Sequence, residues 1–154
     1  MTSLYSRIQH HAYIAITIIA LGAFFGVLLL RSRSSVEPRI VAGDVVIPVS
    51  IADTDSERAQ GLSGTASLAP GTGKLFIFPQ VGNYGFWMKD MRYPIDIVWI
   101  DSSWQVVSVD EQVSPESYPS VYYPPSAVQY VLEVNAGEAT GDNLLTGAKL
   151  QFHQ

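Results

Sequence analysis

Nineteen consecutive residues, from Ala12 to Leu30, carry no charge and are dominated by Ile, Leu, Ala and Phe. At about 1.5 Å of rise per residue, a helix of that length crosses the roughly 30 Å of hydrocarbon in a bilayer. The run is apolar on every side and has Arg7 on one flank and Arg31 and Arg33 on the other, which suits lipid better than a protein core. It is longer than the apolar stretch of a cleaved signal peptide, and Val27-Leu28-Leu29-Leu30 offers no small-x-small cleavage site. The expected layout is a short tail over 1–11, an uncleaved transmembrane signal anchor over 12–30, a polar linker over 31–38 and a domain over 39–154. Taken alone, the flanking arginines weakly favour a cytoplasmic domain. A short tail, one span and a compact domain is the layout of an exported, anchored protein, and the reading adopted is a single-pass membrane protein with an extracytoplasmic domain.

From Val36 onward the chain is long enough for one domain with its own core and too short for two. All 14 acidic residues of the chain fall in this part against six basic ones, a net charge of −8. Such a field repels phosphate backbones, so nucleic acid is not an expected partner. The chain has no cysteine, which excludes disulfides, thiol catalysis and thiolate metal sites.

Within the domain, short β-rich runs alternate with Gly, Pro, Ser and Asp clusters, predicting a mainly β fold, a compact sandwich or small barrel with one or two short helices. Val45, Ile47, Val49 and Ile51 alternate as one face of a strand, in which Pro48 predicts an edge position or a bulge. Thr54 followed by Glu57 has the form of a capping box, and Gly61 or Gly64 would end the helix it starts. Further strands are predicted at Leu75 to Phe78, Phe86 to Met88, Ile95 to Ile100, Gln105 to Val113, Tyr130 to Asn135 and Ala148 to Phe152, with a turn at Asp101-Ser102-Ser103 and a short helix near Gly137 to Asn143. Ser114 to Ser126 holds four prolines and three tyrosines, too many missing N–H donors for a central strand, and reads as a long surface loop.

Two carboxylates stand out. Alternation places Asp96 on one strand face with Val98 and Ile100, and Glu133 on one face with Val131 and Asn135. A carboxylate among apolar neighbours needs a partner, and for Asp96 the candidates are Arg58, Lys89, Arg92 or backbone donors. Either acid can be a structural anchor or a functional group; as a pair flanking a cleft, with Lys89 or Arg58 beside them, they would suit a small hydrolase or lyase. Phe86, Trp87 and Tyr93, with Tyr118, Tyr122 and Tyr123 in the proline-rich loop, offer either core packing or an aromatic platform for sugars or peptides. The ligand-binding candidates are thus Arg58, Trp87, Lys89, Asp96, Glu133, Tyr122 and Tyr123, and the catalytic candidates are Asp96, Glu133 and Lys89.

Other signatures fail on spacing. Gly71-Thr72-Gly73-Lys74 lacks the phosphate-loop pattern, Gly61-Leu62-Ser63-Gly64 is not Gly-x-Ser-x-Gly, and Asp53 to Glu57 begins like a calcium loop but has Arg58 where glycine is needed. His10, His11 and His153 lie at the chain ends, so neither a zinc site nor a catalytic triad is expected in the domain. No metal or cofactor is expected.

The segment Phe86-Trp87-Met88-Lys89-Asp90-Met91-Arg92-Tyr93-Pro94-Ile95-Asp96-Ile97, read with Glu57-Arg58-Ala59-Gln60-Gly61-Leu62 before it and Val131-Leu132-Glu133 after it, resembles the bacterial and archaeal family called domain of unknown function 192. The resemblance runs from about Val45 to Phe152. It departs from the family pattern at Ser63, Thr65 and Asp90-Met91, where Met, Arg and Asn-Thr are usual. It implies a compact, mainly β domain, often exported, with no established biochemical function. A non-enzymatic binding or interaction module at the cell envelope, contacting a glycan or a protein, is the leading reading; the carboxylate-dependent hydrolase or lyase is the alternative.

Overall fold

In a computed structural model of the chain, residues 37–154 are described. The expected tail, the span over 12–30 and most of the linker lie outside the described residues, among which no helix is long and apolar enough to cross a membrane.

The domain is mainly β, with strands β1 (Arg39–Ala42), β2 (Val45–Ala52), β3 (Gly73–Gly82), β4 (Phe86–Trp87), β5 (Ile95–Ile100), β6 (Val106–Val113), β7 (Val121–Tyr122), β8 (Val128–Asn135) and β9 (Leu150–His153). Helix α1 (Asp55–Gln60) lies between β2 and β3, and helix α2 (Glu138–Gly141) follows β8. Seven strands form one sheet in the order β6-β5-β8-β3-β2-β1-β9, antiparallel except for the β2–β3 pair. That parallel pair requires a crossover, which α1 and the segment after it supply.

The sheet curls until its outer strands approach each other. Gln105 bridges Lys149, the Val106 N–H donates to the Ala148 carbonyl at 2.9 Å, and the Leu150 N–H donates to the Trp104 carbonyl at 2.9 Å. The result is a curled half-barrel and not a sandwich, since among the described residues the second sheet is no more than the two-strand β4–β7 ribbon. The physical reason lies in β5, whose six residues are all buried, so that both faces of a single sheet are covered. One apolar cluster draws on all seven strands and includes Ile40, Ile47, Leu75, Val98, Leu132 and Leu150; Ala139 of α2 and Leu144 complete it. The other, on the opposite face of β3, β5 and β8, holds Phe76, Ile97, Trp99 and Val131, packed against Leu62 and Met88.

One local expectation is met and one needs correction. Pro48 is at an edge position although β2 lies inside the sheet, because residues 45–48 pair with β1 alone and β3 joins only from Val49, leaving the other side of β2 unpaired at Pro48. Part of the proline-rich loop is recruited into structure, Tyr122 pairing with Phe86 and Val121 with Trp87. Helix α1 starts with the full capping box of Thr54 and Glu57 and stops at Gly61, where φ is +50°. A Cβ there would come within 3.2 Å of Phe76, so glycine is what lets the end of α1 settle onto β3.

Candidate functional site

Glu133 lies near the middle of β8, opposite Lys74 on β3 and Ile97 on β5. Directly opposed residues share a sheet face, so Glu133 projects on the side of Phe76, Ile97 and Trp99. It is only 6% exposed, and its Oε2 has no hydrogen-bond partner. Burial pushes its carboxyl from the ordinary 4.5 up to about 8, with the nearby charge of Lys74 opposing the rise. At neutral pH the group is therefore mainly a protonated acid, a donor with no acceptor among the described residues.

Glu133 lines a half-open cavity of about 250 Å³ between α1 and the outer face of the sheet. Arg58, Gly61 and Leu62 form one wall, Phe76, Phe78 and Phe86 another, and Gln60, Ser63, Tyr84, Trp87 and Met91 add to the lining. The aromatic wall is held by edge-to-face contacts, Phe86 standing 4.8 Å from Phe76 and 5.4 Å from Trp99 between ring centroids. Phe78 lies between the ring of Tyr84 and the guanidinium of Arg58, whose Cζ is 5.4 Å from its centroid. Arg58 also ties α1 to the sheet, its Nη1 donating to the carbonyls of Asp53 and Ile77 and its Nη2 pairing with Asp55 at 2.5 Å. Asp55 is fully exposed, so that pair is screened by water and leaves the wall cationic in character.

Asp96 is placed differently. It is completely buried on the other face of β5, with Val98 and Ile100, and three backbone groups donate to it. Gln112 N–H reaches Oδ1 at 2.8 Å, while Gly137 and Ala139 N–H reach Oδ2 at 2.8 and 3.0 Å. Opposite Asp96 the β5–β6 register slips, and the carboxylate takes up the N–H that this irregularity frees in β6. Backbone donors therefore hold Asp96, and Arg58, Lys89 and Arg92 do not. It fastens β6 and the start of α2 to β5, and does not tie the Lys89 to Pro94 loop to its strand. Asp96 and Glu133 consequently face opposite sides of the sheet and share no cleft.

Lys89 lies at the rim. Its Nζ is 5.9 Å from the Trp87 ring, and it lines an adjoining, more open groove with Asp90 and Arg92. Trp87 is 52% exposed and meets Tyr118 at 6.1 Å, and Val121 and Tyr123 are exposed on the same ribbon, making an apolar ridge beside the cavity. Phe86 and Tyr122 instead pack on the core, and the Tyr93 hydroxyl is bound to Thr65 Oγ1 at 2.7 Å. Among the expected site residues, the cavity thus gathers Arg58, Trp87 and Glu133, leaves Lys89, Tyr122 and Tyr123 around it, and excludes Asp96. It adds Phe76, Phe78, Tyr84 and Met91, which sequence reasoning missed. The i, i+2 spacing of Phe76 and Phe78 on a predicted strand was a usable signal, whereas Tyr84 and Met91 gave none. Among the described residues no cluster of three or more His, Asp or Glu is placed to hold a metal ion.

Comparison with known proteins agrees with this frame. The profile of the DUF192 family, Uncharacterized ACR, matches residues 39–152, and the chain belongs to that family. The fold is similar to that of a protein from Sinorhizobium meliloti 1021 described as a candidate transcription regulator, at 29% identity and a TM-score of 0.68 over 75% of this chain and 91% of that one. It is similar as well to a protein of unknown function from Novosphingobium aromaticivorans, at 24% identity and a TM-score of 0.68 over 77% and 89% of the two chains. No curated protein matches the chain.

Proposed function

We propose that this DUF192 domain is a non-enzymatic ligand-binding module, held at the outer side of the cell membrane by the span expected over 12–30, with the cavity beside Glu133 as its binding site. The observation that carries the reading is Glu133 in the cavity lining, a buried carboxyl whose Oε2 has no hydrogen-bond partner among the described residues. A polar group left in that state costs free energy that a ligand with a complementary atom recovers. A few placed polar groups among aromatic side chains is the common build of a small-molecule site. The Trp87, Tyr118, Val121 and Tyr123 ridge beside the cavity suits contact with an envelope glycan or protein that presents such a ligand.

The alternative, a hydrolase or lyase using Asp96 and Glu133, has less support, because the two acids lie on opposite faces and the oxygens of Asp96 are taken by backbone donors. The Sinorhizobium protein is described as a candidate transcription regulator, and direct contact with DNA fits poorly with a domain of net charge −8.

Retention of solubilised envelope glycans and peptides on the immobilised full-length protein tests the binding role. Binding that Trp87→Ala and Glu133→Ala both weaken supports it, and equal retention by wild type, both variants and a bare matrix refutes it. Protease digestion of intact spheroplasts tests the placement: the domain should be cleaved without lysis, and full protection until lysis would reverse the orientation.

A further inference from the structure

We infer that the cavity beside Glu133 takes a small monocarboxylate with an apolar body, its carboxylate accepting the Glu133 carboxyl proton and lying toward the Arg58 guanidinium. This rests on the reading of the cavity as a binding site and adds the chemical class of the ligand.

The charges around the cavity select that class. Arg58 lines it, Lys74 faces Glu133 across the β3–β8 pair, and Lys89 sits over Trp87 at the rim. An ammonium ligand would enter among three cations, and the rings best placed to receive it are already occupied by cations, Phe78 by Arg58 and Trp87 by Lys89. The nearby acids do not reach the cavity, since Asp55, paired with Arg58 at 2.5 Å, is itself fully exposed and Asp110, on β6, accepts the Trp99 indole N–H at 2.7 Å. β5 presents Ile95, Ile97 and Trp99 on this face, the Tyr84 hydroxyl is spent on the Gln80 carbonyl at 2.6 Å, and the Gln60 amide and the Ser63 hydroxyl donate to the carbonyls of Ser63 and Lys89 at 2.6 and 2.8 Å. What remains is a buried, uncharged carboxyl with a proton to give and a cationic wall, which together complement a carboxylate. At about 30 Å³ per water-sized group, 250 Å³ holds about eight non-hydrogen atoms, so benzoate, benzyl alcohol and benzylammonium are probes of suitable size.

The test is calorimetric titration of the full-length protein with these three probes between pH 6 and pH 10. Because the acid titrates at about 8 when the cavity is empty, benzoate affinity should be level below that pH and fall about tenfold per unit above it, where one proton is taken up for each benzoate bound. Glu133→Gln, which keeps an N–H donor and cannot ionise, should bind benzoate as well at pH 9 as at pH 6, separating Glu133 from the other ionisable groups. Benzylammonium should bind at least tenfold more weakly than benzoate at pH 7. Preference for benzylammonium or benzyl alcohol, or benzoate affinity that holds or rises above pH 8 in the wild type, overturns the inference while leaving the cavity a binding site. If none of the three binds, the inference fails; if none perturbs the amide resonances of Phe76, Phe86 and Glu133 either, the binding-site reading fails with it.

Discussion

Replacing Asp96 by Asn changes one atom in a fully buried group, and the geometry fixes the cost. The carboxylate receives one backbone N–H on Oδ1 and two on Oδ2. An Asn side chain has a single oxygen, and its least damaging orientation keeps that oxygen toward Gly137 and Ala139 and turns the amide NH₂ against the Gln112 N–H. A hydrogen bond to a charged group is worth about 1.5–3 kcal/mol, and a stranded buried donor costs about 1–3 kcal/mol, the two overlapping in part. The expected loss is about 2–4 kcal/mol, a shift of about 1–2 M in the urea midpoint. Asp101→Asn is the matched control: the Ser103 N–H, Ser103 hydroxyl and Gln105 N–H all converge on Oδ1, at 2.8, 2.8 and 2.9 Å, so an Asn oxygen can keep all three. Its loss should stay below about 1 kcal/mol. Urea melts of the domain from Glu37 to Gln154, followed by circular dichroism, measure both. Equal, small losses would mean that the three donors do not hold Asp96 in solution.

The same domain should fold cooperatively with neither span, metal nor reductant-sensitive link, because its two apolar clusters are complete within it; a chain that needs added metal by circular dichroism would contradict this. Glu133 should make stability fall with pH: its folded pKa is raised from 4.5 to about 8, so the folded state holds a proton the unfolded state has lost, and stability present below about pH 4.5 is lost progressively up to about 8. At about 1.4 kcal/mol per unit, the difference is on the order of 3–5 kcal/mol, and Glu133→Gln should flatten the profile in melts from pH 5 to pH 9. Phe86→Ala should cost about 2–4 kcal/mol because it removes the ring between Phe76 and Trp99, whereas Trp87→Ala, at a half-exposed position, should cost under about 1 kcal/mol. Thermal melts that reversed the order would misplace the core.

Alternation read from single strands located most of the frame. It put Asp96 with Val98 and Ile100 and Glu133 with Val131, and the Thr54–Glu57 capping box marked the start of α1. Relations between strands were beyond it. That Asp96 and Glu133 face opposite sides follows from the β5–β8 register, in which Asp96 pairs with Val134 and Ile97 with Glu133, a long-range pairing to which no local pattern points. Pro48 marked an unpaired strand side, but that this side belongs to an interior strand, left open because β3 joins β2 only from Val49, depends on the same long-range pairing. The proline count of 114–126 correctly marked loop chemistry but carried no sign of the two-residue pairing of Val121 and Tyr122 with β4.

The central claim is that Glu133 is a protonated, unpartnered acid at the wall of a ligand cavity. Following its side-chain carboxyl carbon by ¹³C NMR from pH 4 to pH 10 tests that claim most directly. A single titration with its midpoint near 8 is the predicted result, displaced further upward when benzoate is bound. A midpoint in the ordinary carboxylate range, near 4.5, would mean a solvated, charged Glu133, and neither the cavity's donor nor its preference for a carboxylate would remain.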